Sequence, residues 1–262
     1  MSIIQGTARA SGDTDFYSFP LSGSLRFDGS GHLTRTPASA GNLQTWTLSF
    51  WVQRTRTGTD YIINVRESNA QQNIAEFFLG FRQNLFRVID ANPTRVIVDV
   101  TGKIRDFSAW YHYVIVWNTP ESAETDRIKI YKNGILQTFT SEAATLQYPS
   151  QYDNITHFNS PQKHNIGYSD FYGGSASYEY YLAEFNFIDG QALDQYFFGE
   201  FKNGSVWVPY NAFSTAGSGT ATASDGDTAT DSYGTNGFRL RFSNVSDLGE
   251  DSSGKNNDWT VN

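Results

Sequence analysis

The sequence predicts an all-β protein built as two antiparallel sheets packed face to face. Three observations carry this. The stretch TWTLSFWVQR, Thr45 to Arg54, sets Trp46, Leu48, Phe50 and Val52 on one side of an extended strand, with Thr47, Ser49, Trp51 and Gln53 on the other. That period of two marks a strand with one face in the core, and Trp51 is the aromatic exception on the polar side. The stretch Trp110 to Leu136 opens with WYHYVIVWN, apolar on both sides, and continues with DRIKIYKNGILQ. Its first part is a strand buried on both faces. Asn133-Gly134 in the second is the dipeptide that most readily takes positive φ at both central positions of a tight hairpin turn. The composition agrees: 16% aromatic, 23 Gly, a single Met, and no long Ala/Leu/Glu/Lys run that would form helices.

Residues 1–23 form a polar arm carrying Phe16, Tyr17 and Phe19 before Pro20. Composition makes it flexible, and it is expected to attach the protein to a neighbour or to lie on its own domain. Residues 24–262 form one sandwich, a common size for a single all-β domain. SLRFDGSGHL, from Ser24, reads as a strand and turn. Further strands are expected at Asp60 to Val65, Ile74 to Phe81, Asn84 to Ile89 and Arg95 to Val100. Asn165 to Tyr168 and Tyr180 to Ile188 flank a Gly- and Tyr-rich loop. Asp189 to Phe201 holds the one helical turn, because Ala192 to Phe197 lacks a breaker. Residues 214–234 are rich in Ser, Thr, Ala, Gly and Asp, and read as an exposed loop without core residues. A last strand follows at Gly237 to Phe242. SLRFDGSGHL and GFRLRFSNVSDL are alike, and are expected as neighbouring edge strands. About a dozen short strands with turns between them and no parallel βαβ signature make this a jelly roll.

With 19 Lys and Arg against 27 Asp and Glu the net charge is -8. No basic cluster offsets it, so a nucleic-acid partner is excluded, since neutralising phosphates takes a basic surface. The absence of Cys excludes disulfides and thiolate zinc sites. Neither a basic start with an apolar core nor a bilayer-length apolar run occurs, so synthesis in a cytoplasm without membrane insertion is expected.

Taken together, SLRFDGSGHLTRTP, NLQTWTLSFWVQR, WYHYVIVWN, IKIYKNGILQ and YLAEFNFIDGQAL resemble the laminin-G-like, concanavalin A-like lectin and glucanase sandwiches. In that family an aromatic-rich core strand precedes a W-x-H strand, a strand ending Y-x-N-G and a G-x-I-D-E-hydrophobic strand, the last departing here to LAEFNF. AEFxFIDGQALD, VWVPY, YGTNGFRLRFS and DSSGKNNDW are similar to laminin-G-like proteins carried on particles of tailed phages of aquatic bacteria. The resemblance spans about residues 24–262 and implies a fold and a virion location, not an activity.

Chemistry follows residue by residue. A glycoside hydrolase needs two carboxylates facing each other across the sugar, about 5.5 Å apart when retaining. The glucanase E-x-D-x-E strand is missing, and Glu179 and Glu184, five residues apart, fall on opposite faces of a regular strand. Of His32, His112, His157 and His164, none has a partner at metal spacing, and His112 reads as a hydrogen-bonded core residue. Asp225, Asp227 and Asp231 offer hard oxygens that calcium could take, calcium being common in this fold class, or are simply solvated turn acids. No other cofactor is expected. Tyr168, Asp170, Phe171, Tyr172 and Tyr178 in GYSDFYGGSASYEYY join ring faces to polar groups, as a glycan site or a subunit contact does.

Two functions are expected from this. The first is a non-enzymatic structural protein on the surface of a tailed-phage particle, a head decoration or compact tail or fibre component. It would be a homo-oligomer, made in the bacterial cytoplasm and held to other virion proteins by the 1–23 arm. The alternative is a carbohydrate-binding module that recognises host surface glycans through the Tyr168 to Tyr181 loop.

Overall fold

The structure of the protein, a computed structural model, describes residues 2–3, 16–66, 76–91, 94–140, 146–155, 157–169, 176–214 and 218–262. In chain order the strands are β1 (Ser2–Ile3), β2 (Leu25–Asp28), β3 (Leu33–Arg35), β4 (Thr45–Arg54), β5 (Asp60–Arg66), β6 (Glu76–Arg82), β7 (Leu85–Ala91) and β8 (Thr94–Val100). They continue with β9 (Tyr111–Asn118), β10 (Ile128–Lys132), β11 (Ile135–Leu136), β12 (Phe139–Thr140), β13 (His164–Ile166), β14 (Tyr168–Ser169), β15 (Ala176–Ser177) and β16 (Glu179–Asp189). The last are β17 (Gly199–Lys202), β18 (Val206–Pro209), β19 (Thr220–Thr222), β20 (Thr228–Thr230), β21 (Phe238–Leu240) and β22 (Thr260–Val261).

Two eight-stranded sheets result, antiparallel at every pairing among the described residues. Sheet 1 runs β1-β2-β16-β4-β9-β10-β11, with β21 also on β16, and sheet 2 runs β12-β8-β7-β6-β5-β13-β3-β22. The all-β sandwich expected from the strand periods is therefore the fold. Asn133 (φ 49°) and Gly134 (φ 76°) both take positive φ in the β10–β11 turn, as the Asn-Gly dipeptide predicts. Between the sheets Trp46 stacks on Trp117 at 5.4 Å, Phe50 on Phe185 at 5.3 Å and Phe86 on Tyr113 at 4.3 Å.

The face of sheet 1 turned away from sheet 2 is also covered. Val114, Val116 and Ile188 pack there against Leu193, Phe197, Phe198, Phe213, Ala221, Ala223 and Tyr233, a second apolar cluster. This is why β9 is buried on both sides, and why the polar face of β4 is buried where the alternation predicts solvent. Two expectations are corrected. The helical turn over Ala192 to Phe197 shrinks to a single 3₁₀ turn, Gln195–Phe197, opened by Asp194 Oδ1 accepting from Tyr196 N at 2.9 Å. Phe197 and Phe198 then both turn inward onto Phe213. The 214–234 segment is not an exposed loop over its described residues. It forms the β19–β20 hairpin, in which Ala221 and Ala223 face inward while Thr220 and Thr222 face out. Alanine is small enough for this backbone to lie close on the sheet, which is how a segment without large apolar residues reaches the core.

The described part of the arm lies on its own domain. Ser2 and Ile3 pair with Arg26 and Leu25, Phe19 sits against the Arg239 guanidinium at 5.3 Å, and Ser18 Oγ donates to Glu200. An arm reaching only for a neighbour is not what residues 16–23 form. Residues 4–15 fall outside the described residues. The two similar segments share one edge of β16: β2 pairs along Glu179–Leu182 and β21 along Phe185–Phe187.

Candidate functional site

Sheet 1 supplies the floor of a cleft on its outer face. Registry sets Trp51 of β4 between His112 of β9 and Ala183 of β16, and sets Ser49 beside Asn186. Between Ala183 and Asn186 the register of β16 slips at a bulge, where Glu184 takes φ +44°. The extra residue turns Glu184 to the outer face while Leu182 and Phe185 stay in the core. Glu179 also points away from the core, so the bulge overturns the expectation that the two glutamates oppose one another. They lie roughly 15 Å apart along the strand, too far to flank one glycosidic bond.

Walls rise from the arm and from β18. Tyr17, Phe19, Pro20, Leu21, Trp51, Trp110 and Pro209 enclose an apolar cleft of about 340 Å³. Tyr17 is 51% exposed and Trp110 half-buried, so ring surface is open to a ligand. Trp51, Phe19, Leu21 and Pro209 also line a smaller polar pocket deeper in, about 10 Å³, with Ser49, His112, Glu184, Asn186 and Asn211. Such a volume admits one water-sized group.

The hydrogen bonds around this pocket have a direction. Trp207 Nε1–H can only donate, and it donates to His112 Nδ1 at 3.0 Å. The proton of the neutral ring therefore sits on Nε2 and is given to Ser49 Oγ, 2.8 Å away. Burial pushes the His112 pKa down to about 3, so the ring stays neutral. A Ser–His pair is thus present but reversed, because the imidazole donates to the hydroxyl and cannot take its proton. Glu184 Oε2 accepts from Arg239 Nε at 3.0 Å, and Oε1 lies 3.6 Å from Arg241 Nε without a hydrogen-bond partner.

The residues singled out by sequence behave differently from one another. Tyr168 is half-buried and stacks on His32 at 4.3 Å. Tyr178 is a correction: it is 6% exposed, its ring against Tyr61 at 5.2 Å, held inward as its backbone N–H donates to the Gly167 carbonyl. It offers no ring face to a sugar. Asp170, Phe171 and Tyr172 lie outside the described residues. Asp225 and Asp227 do come together, but with Asp194 rather than Asp231, their carboxylate oxygens within 4.8 Å of one another. Asp231 is buried and accepts from the backbone N–H and the hydroxyl of Ser214. Three carboxylates could contribute to holding a divalent cation, yet calcium takes six to eight oxygens and Asp194 already caps a turn. Sequence marked Trp51 as out of pattern, and that was the available signal for the cleft. Nothing in the order of residues announces the bulge that delivers Glu184.

A laminin-G-type family model, described as the Concanavalin A-like lectin/glucanases superfamily, matches residues 27–195. The chain belongs to that superfamily. No curated protein sequence matches it. Among solved structures, a native heptameric SAP-like pentraxin from Limulus polyphemus is 18% identical, over 65% of this chain and 76% of its own, at TM-score 0.45. Mouse laminin α1 domains LG4-5 are 11% identical over 66% of this chain, which spans 43% of theirs, at TM-score 0.45. The CBM40 of a Ruminococcus gnavus sialidase, bound to α2,3 sialyllactose, is 12% identical over 61% of this chain and 89% of its own, at TM-score 0.39. No helix among the described residues is long and apolar enough to cross a membrane.

Proposed function

We propose that the protein is a carbohydrate-binding module whose site is the aromatic cleft on the outer face of sheet 1. The observation that supports it most is the joining of open ring surface, Tyr17 and Trp110 above Trp51, to a polar pocket at the floor. Sugars present apolar ring faces and a rim of hydroxyls, and a site for them combines both. Binding without turnover is the reading that fits the reversed Ser49–His112 pair and the wide separation of Glu179 from Glu184. Screening the full chain on a glycan array tests this. Binding is expected, and Trp110→Ala should weaken it at least about tenfold while leaving the unfolding transition in place. Binding unchanged in Trp110→Ala would move the site elsewhere.

A location on a tailed-phage particle, in several copies, is the second part of this proposal. It is supported by the resemblance of FIDGQALD and DSSGKNNDW to proteins of such particles. Immunogold labelling of purified particles with an antibody to residues 24–262 tests it. Gold over the head would indicate a decoration role, gold at the tail a role in host recognition, and none would end the virion reading.

A further inference from the structure

We propose that the pocket between Ser49 and Glu184 is a subsite for a single hydroxyl of an uncharged sugar, and that it makes the cleft selective for neutral over acidic glycans. The inference rests on the carbohydrate reading of the cleft and adds what kind of carbohydrate it takes.

The polar groups lining the pocket are nearly all committed. Asn186 Nδ2 donates to the Glu184 carbonyl at 3.1 Å, and its Oδ1 accepts from the Tyr233 hydroxyl at 2.9 Å. Asn211 Nδ2 donates to the Phe213 carbonyl at 2.7 Å, and the Tyr210 hydroxyl donates to the Thr222 carbonyl at 3.0 Å. Two of the remaining capacities belong to Ser49 and Glu184. Because Ser49 Oγ already accepts from His112 Nε2, its own proton is available to donate, and no acceptor among the described residues takes it. Glu184 Oε1, 3.6 Å from Arg241 Nε, accepts no hydrogen bond although the residue is only 5% exposed. A buried donor and a buried acceptor on two residues that line one small volume call for a group that both accepts and donates. A hydroxyl does so, and about 10 Å³ admits one oxygen and no more.

The backbone is built to make this arrangement. A residue other than glycine at positive φ is strained, and such strain persists where the surroundings impose it. Here it turns the Glu184 side chain out of the core, and the Arg239 contact holds it there. The Trp207–His112–Ser49 chain orients the donor in the same way. A sugar acid fits neither demand, since a carboxylate brings two oxygens where one fits and no proton to give to Glu184.

Methyl glycosides of glucose, galactose and mannose, with glucuronic acid and N-acetylneuraminic acid as acidic members, should be titrated into the full-length protein by calorimetry. A neutral glycoside is expected to bind at least about tenfold more tightly than either acid. Its monodeoxy analogues should then identify one hydroxyl whose removal costs about tenfold, the others costing threefold or less. Ser49→Ala should reproduce that single loss with the parent sugar and show no further loss with the sensitive deoxy analogue. The wild-type deoxy series needs no variant to fold, so it stands even if Ser49→Ala is unstable. Equal affinity for acids, or no sensitive hydroxyl while Trp110→Ala abolishes binding, would leave the cleft reading standing and overturn the subsite, whose occupant would then be water. If no glycoside binds and the array is blank, the carbohydrate reading falls and the subsite with it.

Discussion

Trp207 Nε1 and His112 Nδ1 meet at 3.0 Å across the boundary between the β17–β18 hairpin and sheet 1. One hydrogen bond thereby sets the tautomer of a fully buried ring. Trp207→Phe keeps most of the apolar contact and removes the donor. It is expected to cost about 1–3 kcal/mol, the penalty of leaving a buried acceptor unmet. Urea unfolding measures it, and an unchanged midpoint would show that the imidazole reorients at no cost.

Acid should destabilise the protein before its carboxylates titrate. Burial holds His112 near a pKa of about 3. His164 is held near about 4 by burial, opposed by its bond to the Gln162 carbonyl and assisted by the Arg35 charge. Both lie below the 6.5 of a free histidine side chain. The unfolded chain therefore binds protons that the folded one refuses. The stabilisation is fully present above pH 6.5 and declines as the pH falls from there toward 3–4. Each histidine contributes a slope of about 1.4 kcal/mol per pH unit within that window. Denaturation series at pH 7, 6 and 5 should show the decline, and His164→Asn should flatten its share.

Gly134 serves the hairpin turn in two ways. It takes φ +76°, and a Cβ placed on it would lie 2.4 Å from the Trp207 ring. Gly134→Ala is expected to cost about 2 kcal/mol from strain and displacement together. Tryptophan emission should shift with it, because Trp207 has to move. Stability within a few tenths of wild type would mean that the hairpin pivots freely.

The Ala221 side chain has no exposure at all. Ala221→Leu overfills the layer above β9 and should lower stability by about 1–3 kcal/mol, whereas Thr222→Leu on the solvent side should cost little. Equal effects at the two positions would contradict the alternation of the β19–β20 hairpin.

How much of this was legible in the residues differs by layer. The strands at Thr45–Arg54 and Tyr111–Asn118 match their apolar periods at or within a residue of each end, and Asn133-Gly134 turns as its chemistry dictates. Large side chains at fixed spacing leave a strong signal. The second cluster left almost none, because its inner positions at Ala221 and Ala223 are small and sit among Ser, Thr and Gly. Their Thr-Ala-Thr-Ala alternation was the trace that composition hid. The cleft lies between. Trp51 stood out on a polar face, but the walls come from Tyr17, Trp110 and Pro209, distant in sequence, and only tertiary packing assembles them. The bulge at Glu184 has no Gly or Pro to mark it.

β22 and β3 pair across most of the sequence. Thr260 and Val261 pair with Thr34 and Leu33, and Asn262 Nδ2 donates to Thr34 Oγ1 across 228 positions of sequence. β21 likewise completes an edge of β16 that β2 covers only in part. During synthesis the ribosome releases β2, β3 and β4 long before these partners exist. Until then the growing polypeptide carries open sheet edges and the rings of Phe185 and Phe187 in a crowded cell. Pairings so distant in sequence make folding slow.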